Sequence, residues 1–306
     1  MNLIKDYKTR RKYYDIISKA IVYSIAGITI LLLIFVIIFI LRESLLIFTK
    51  NYINENATIS NLLSQKWQPV SLEPKYGIIP LVMGSIKVVV VAILVALPLG
   101  VLSALYVNVY AHKRVKEIIK PVIELVAGLP TVVIGFFMLT IGATALQNIF
   151  NWDFRLNAVV GGLGVALVII PVVFTISEDG MNTISPSIIE AAYAMGASKH
   201  HIAWGIVLPS SFNAIFASAI VGSMRAFGET MIVLMATGNA SIPLWDLLLP
   251  VRTMSATIAS EMGEVHIGDE HYAVLFVIGF LLLVVTIIFN IIANSVAAFL
   301  KNKMHS

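Results

Sequence analysis

The 306-residue sequence contains no cysteine, which excludes disulfides, thiolate metal sites and cysteine nucleophiles and leaves the redox compartment unread. Charge is scarce too: Asp, Glu, Lys and Arg make up 12% of the residues, against roughly 25% in an ordinary soluble domain. None of the 19 glycines is followed by lysine, so the Gly-Lys-Ser/Thr loop that cradles phosphates is missing. Any ATP hydrolysis coupled to this chain must then occur in another. An intramembrane enzyme would need a nucleophile-base pair or a metal cluster within the long apolar runs, and the six histidines all lie outside them, which argues against that reading. An ion-driven transporter should show an inverted repeat or paired broken helices. The sequence offers neither.

Hydrophobic residues are abundant instead, at 58%, with a mean hydropathy of +0.92. They come in runs too long for a soluble core. The first, Ala20 to Leu41, is 22 residues long, follows Lys5, Lys8, Arg10, Arg11, Lys12 and Lys19, and leads into Arg42. A secretion signal has an apolar centre of only about 7–15 residues and a small-residue cleavage site, so this run reads as a retained anchor. Five more follow: Ile78 to Tyr110, interrupted by Lys87; Leu125 to about Gln147; Leu156 to Ser177; Pro209 to Thr237, holding Arg225 and Glu229; and Tyr272 to Leu300. The expected fold class is therefore all-α, a polytopic membrane protein with six transmembrane helices. Its parts are an N-terminal segment 1–19, a spanning domain 20–300 and a tail 301–306. With both termini in the cytoplasm, the cytoplasmic segments hold thirteen Lys and Arg against six outside, in line with the positive-inside rule. The net charge of +4 and pI of about 9.2 thus reflect topology, and no nucleic-acid partner is implied. Pro80, Pro98, Pro130 and Pro171, with Gly161, Gly162 and Gly164, read as helix-packing positions, with kinks relevant to gating as the alternative.

Residues 178–208 form the longest cytoplasmic segment. Ser185 before Pro186 supplies an N-cap and a proline at the first helical position. Ile188 to Met195 favours helix, Gly196 stops it, and Ser198 caps a second helix running through Trp204 into the membrane. So small and Ala-rich an elbow buries little apolar surface of its own. It is suited to being gripped by a partner protein.

Glu190-Ala191-Ala192, then Gly196, Ile206, Leu208 and Pro209, resemble the EAA loop of permease subunits from ATP-binding-cassette (ABC) importers at seven positions within 20 residues. The resemblance implies that Glu190, Ala191, Ala192 and Gly196 dock into a groove on an ATPase subunit. Arg225-Ala-Phe-Gly-Glu-Thr-Met231, with Gly238-Asn239, closely resembles the fifth-helix signature of phosphate-specific importer permeases. Methionine after Gly-Glu-Thr is similar to the C-type subunit, whereas the A-type partner usually continues Ala-Pro. Trp67-Gln-Pro69, Tyr76-Gly77, Leu129-Pro130 and Thr257-Ile-Ala-Ser-Glu261 also resemble this family. The similarity covers most of residues 65–300, while residues 1–64 match only in general form.

The resemblance implies a multi-pass permease in the cell membrane of a prokaryote, not catalytic by itself and binding no cofactor. Its partners would be an A-type permease, two ATP-binding subunits that use the ATP, an extracytoplasmic phosphate-binding protein, and the lipid bilayer. Within the fifth span Arg225 and Glu229, four residues apart, would share a helix face. Two readings stay open: a structural ion pair, or Arg225 presenting its planar donors to an oxyanion while Glu229 orients it. The resemblance adds Thr230 to that path. Arg225 would suit sulfate or molybdate as well as phosphate. Lys87 is either a snorkelling interfacial lysine or an extra cation near the path. The outer loop Ser241 to His271 carries Glu261, Glu264, His266, Asp269, Glu270 and His271 without fixed ligand spacing. It reads as a solvated face that meets the binding protein, with no metal.

Overall fold

The computed structural model describes the backbone of residues 2–49 and 58–304 and the side chains of residues 14–48, 58–292 and 295. The chain opens with α1 (Asn2–Thr49). A single helical turn at Ile59–Leu62 and an antiparallel pair of two-residue strands, β1 (Trp67–Gln68) and β2 (Lys75–Tyr76), lead into α2 (Ile79–Leu105), which continues as a π-helix to Tyr110. There follow α3 (Lys113–Ala127), α4 (Thr131–Phe150), α5 (Ala158–Asn182), α6 (Pro186–Ala194), α7 (Lys199–Ser210) and α8 (Phe212–Gly228). The last elements are α9 (Met231–Ala236), α10 (Met254–Glu261) and α11 (Glu270–Met304). Among the described residues α1, α2, α4, α5 and α11 are each long and apolar enough to cross a membrane, and α7 with α8, bent by 63°, pass as a sixth when taken together.

Three expected boundaries move. Pro209 to Thr237 is not one helix: it begins at Lys199, turns at Ser211 and stops at Gly228, after which Glu229 is extended with φ −68° and ψ 129°. Pro209 has no N–H to give and its ring crowds the carbonyl four residues back. The backbone widens to a π-helix over Ile202–Val207 and bends directly after the proline. The third span starts at Thr131, since Leu129 precedes Pro130 and is steered away from helical geometry; Leu125 belongs to the separate helix α3. Finally α5 runs to Asn182, taking residues 178–182 out of the expected loop.

Small residues bring α2, α5 and α8 together, as membrane packing favours. A Cβ on Gly162 would lie 2.5 Å from Val91 Cγ1, one on Gly100 2.7 Å from Val173 Cγ1, and one on Gly180 2.1 Å from the Ala214 Cβ. The main core fills the space between these helices with Val88, Ala92, Ile169, Val173 and Ile232. A second core joins Trp67, Tyr76, Leu81, Met254 and Leu275. It lies at the end remote from residues 183–198. By contrast α1 is exposed along most of its length; it buries Glu43, Ser44 and Ile47 and meets α11 edge-to-face at Phe39 and Phe276, 5.6 Å between ring centroids.

Candidate functional site: the loop between the fourth and fifth spans and the break after Arg225

The elbow forms, but from Thr183 and not from residue 178, and Ser185 does not cap its first helix with its side chain: the Ser185 Oγ pairs with that of Ser187 at 2.7 Å. Pro186 opens α6. Its end is a Schellman turn: Gly196 N–H donates to the Tyr193 carbonyl at 2.9 Å and Ala197 N–H to that of Ala192 at 3.0 Å, with Gly196 at φ +84°. No atom lies within 4 Å of a Cβ built on Gly196, so the glycine is needed for its backbone conformation and not for space. Ser198 Oγ then accepts the His201 N–H at 3.2 Å and caps α7. Ala192 packs on the main core, while Glu190 and Ala191 are exposed and Glu190 has no ion pair among the described residues. Around them Ile188, Tyr193, Met195 and Trp204 are exposed too, Met195 at 88%. The elbow thus exposes a carboxylate amid apolar side chains.

Arg225 and Glu229 do not share a helix face. Because α8 stops at Gly228, the Glu229 side chain turns to the next element, where its Oε1 accepts the N–H groups of Thr230 at 3.1 Å and Ile232 at 3.4 Å and caps α9. Its carbonyl accepts the Ser255 Oγ–H at 2.7 Å, tying the break to α10. The Thr230 hydroxyl donates to the Gly228 carbonyl at 3.2 Å. Arg225, one turn before the break, is exposed and has no ion pair among the described residues. The carboxylate drawn as its partner is occupied by backbone amides. No spacing rule announces this switch, because Gly-Glu-Thr reads equally well as helix.

The outer loop is only partly a solvated face. Thr253 caps α10, and Thr253, Met254, Ser255, Ala256, Thr257 and Glu261 are buried. Glu261 Oε1 accepts from Arg252 Nη1 at 2.5 Å and from Trp67 Nε1 at 3.1 Å, and its Oε2 lies 2.9 Å from His271 Nε2. One carboxylate so gathers the β-hairpin, the loop before α10 and the start of α11. Tyr76 packs on His271, with ring centroids 5.9 Å apart. Burial first, then the charges of Glu270 and Asp269, pushes its phenol well above the usual range. Lys87 neither snorkels nor faces solvent: it is 1% exposed, and its Nζ donates to the Leu244 carbonyl. Nearby, Ser85 Oγ accepts the Met254 N–H at 3.0 Å, and a Cβ on Gly84 would overlap the Arg252 carbonyl at 2.2 Å. Span two thus holds the loop by three successive devices, including a pairing over 157 residues of chain that local sequence cannot announce.

The geometry can be set beside known proteins. A "Probable ABC transporter permease protein YqgH" of Bacillus subtilis is 30% identical over 237 residues, covering 78% of this chain and 77% of that protein. The "Phosphate transport system permease protein PstC" of Xylella fastidiosa is 28% identical over 264 residues, 80% of each chain. In structure the chain is similar to a bacterial ABC transporter involved in import of the acidic polysaccharide alginate, with a TM-score of 0.61 at 13% identity, covering 94% of this chain and 98% of that one. It is also similar to the MetNI methionine ABC transporter, with a TM-score of 0.53 at 15% identity, covering 72% of this chain and 93% of that one. At such identities the structures show a common fold. The profile described as "Binding-protein-dependent transport system inner membrane component" matches residues 96–305, and the chain belongs to that family as a multi-pass inner-membrane permease subunit of an ABC transporter.

Proposed function

We infer that this permease is the C-type subunit of an ATP-driven importer of inorganic phosphate. The observation that carries the reading is Arg225: an exposed guanidinium without an ion pair among the described residues, roughly 20 Å along α8 from the bend at Ser211, at ~1.5 Å per residue. An unpaired cation at such a depth is costly unless it faces a cavity or meets a counter-ion, and a planar donor set suits the oxygens of an oxyanion. Glu229 and Thr230 shape the path by ending α8 beside it. The names of the relatives called phosphate permeases support phosphate over sulfate or molybdate.

In this reading an A-type permease closes the path from the other side. Two ATPase subunits grip Glu190, Ala191, Ala192 and the turn at Gly196 from the cytoplasm, a phosphate-binding protein delivers solute outside, and both termini are cytoplasmic. The chain needs no cofactor of its own; the ATP is bound and hydrolysed by its partners. Co-produced with those partners and reconstituted in proteoliposomes, it should accumulate radiolabelled phosphate only in the presence of ATP. Preference for sulfate or molybdate, or phosphate uptake unchanged by Arg225→Gln, would overturn this reading.

A further inference from the structure

Glu178 lies in the last part of α5, 7% exposed, four residues before the helix ends. A carboxylate buried there must be paired and hydrogen-bonded. Its Oε1 stands 2.7 Å from Lys120 Nζ on α3 and accepts from Asn182 Nδ2 at 2.9 Å. Asn182 Oδ1 in turn accepts from Asn108 Nδ2 at 2.8 Å, in the π-helical end of span two, and Lys116 Nζ of α3 donates to the Asn108 carbonyl at 3.2 Å. A polar chain therefore joins span two, span four and α3 directly beside the root of the elbow.

The two neighbours of this chain make it mechanical. On one side α5 is locked to α8: Gly180 lies against Ala214, and Ser177 Oγ donates to Ser218 Oγ at 3.2 Å in a buried contact. The two roots of the elbow are thus held together. On the other side α3 leads into α4 through only Gly128, Leu129 and Pro130, and the Pro130 carbonyl accepts the Val133 and Ile134 amides in the first turn of α4. On α3 the side chains of Ile119 and Ile123 pack on the core, while Ile118, Val122 and Leu125 are exposed, so one flank alone is seated.

We propose that Lys120 and Glu178 are positioning residues that form a joint, through which displacement of the elbow is passed to α3 and on to the third span. The joint presupposes that residues 183–198 dock on an ATPase; it does not depend on which solute is carried. The absence of cysteine allows a single reporter: Glu124→Cys, on the exposed side of α3, labelled with a fluorophore in the assembled complex. Two quantities are read, the ATP-dependent change of that signal and the amount of solute moved per ATP hydrolysed. Wild type should give an ATP-dependent change. Glu178→Gln should assemble at the wild-type level, lose the signal, and move roughly tenfold less solute per ATP, the size of an ordinary coupling between sites. The exchanged pair Lys120→Glu with Glu178→Lys should restore both.

Retention of signal and coupling by Glu178→Gln overturns the joint. So does an exchanged pair that assembles but stays uncoupled, or fails to assemble, since a joint made by mutual attraction works in either polarity. Should Glu178→Gln itself not assemble, the exchanged pair decides by the same readouts. A wild-type complex without any ATP-dependent signal on α3 also overturns it. A complex that shows the signal but carries no phosphate leaves the joint standing and removes only the phosphate reading.

Discussion

At the residue scale, Arg225 and Glu229 are not partners among the described contacts. An ion pair would make their substitutions strongly non-additive, because removing one partner strands the other. Here Glu229 accepts backbone amides at the start of α9 and Arg225 has no ion pair among the described residues, so a double-mutant cycle should give a coupling near zero. Arg225→Lys should lower phosphate uptake roughly ten- to hundredfold, the worth of one or two charge-assisted hydrogen bonds, because an ammonium lacks the planar fork. Glu229→Gln keeps an oxygen to cap α9 and should transport nearly as well as wild type. Glu229→Ala loses the cap, at about 1 kcal/mol, and should show as a lower melting temperature of the assembled permease. A coupling in the cycle above about 1 kcal/mol would restore the ion pair.

At the element scale, α5 and α8 meet at a contact with no slack. A Cβ on Gly180 would sit 2.1 Å from that of Ala214, so Gly180→Ala must push the helices apart at the root of the elbow. Overpacking of this kind costs about 1–3 kcal/mol. Ala214→Gly removes the atom in the way and should recover most of the loss, read as melting temperature and as co-purification with the ATPase. Failure of Ala214→Gly to help would show that Gly180 serves something other than this contact. The same contact explains why α5 extends past Ser177: once seated on α8 and held by Lys120 through Glu178, its last turn is cheaper to keep helical than to unwind.

At the scale of the whole molecule, much apolar surface is left open. α1 is exposed over most of its length, and on α4 Val132, Val133, Phe136 and Phe137 are exposed as well. Lipid covers part of this in a membrane, but Arg225 needs a polar or protein surrounding. The chain solubilised alone should therefore melt at a lower temperature than the same chain co-produced with an A-type permease, and the difference should grow with partner concentration by mass action. Equal melting of the two preparations would show that the second permease does not cover these faces.

How much of this was legible in the sequence follows from the range of the interactions. Composition and run length set the membrane class and six crossings, because hydrocarbon thickness acts on each segment independently of its neighbours. Most of the elbow was legible, since proline, the glycine stop and the second cap are local devices: Pro186, Gly196 and Ser198 sit where their chemistry requires, whereas Ser185 makes no side-chain cap and the loop starts five residues late. Tertiary structure alone decided the rest. Whether Glu229 continues α8 or turns to cap α9 depends on Ser255 of α10 holding its carbonyl, a partner 26 residues away in sequence. Glu261 and Trp67 are 194 residues apart, and Lys87 finds the Leu244 carbonyl only when the loop folds back on span two. Each buried polar group accepts whichever partner the packed helices bring within reach, and that choice is made by the close approach of α2, α5 and α8, not by the residues beside it in the chain.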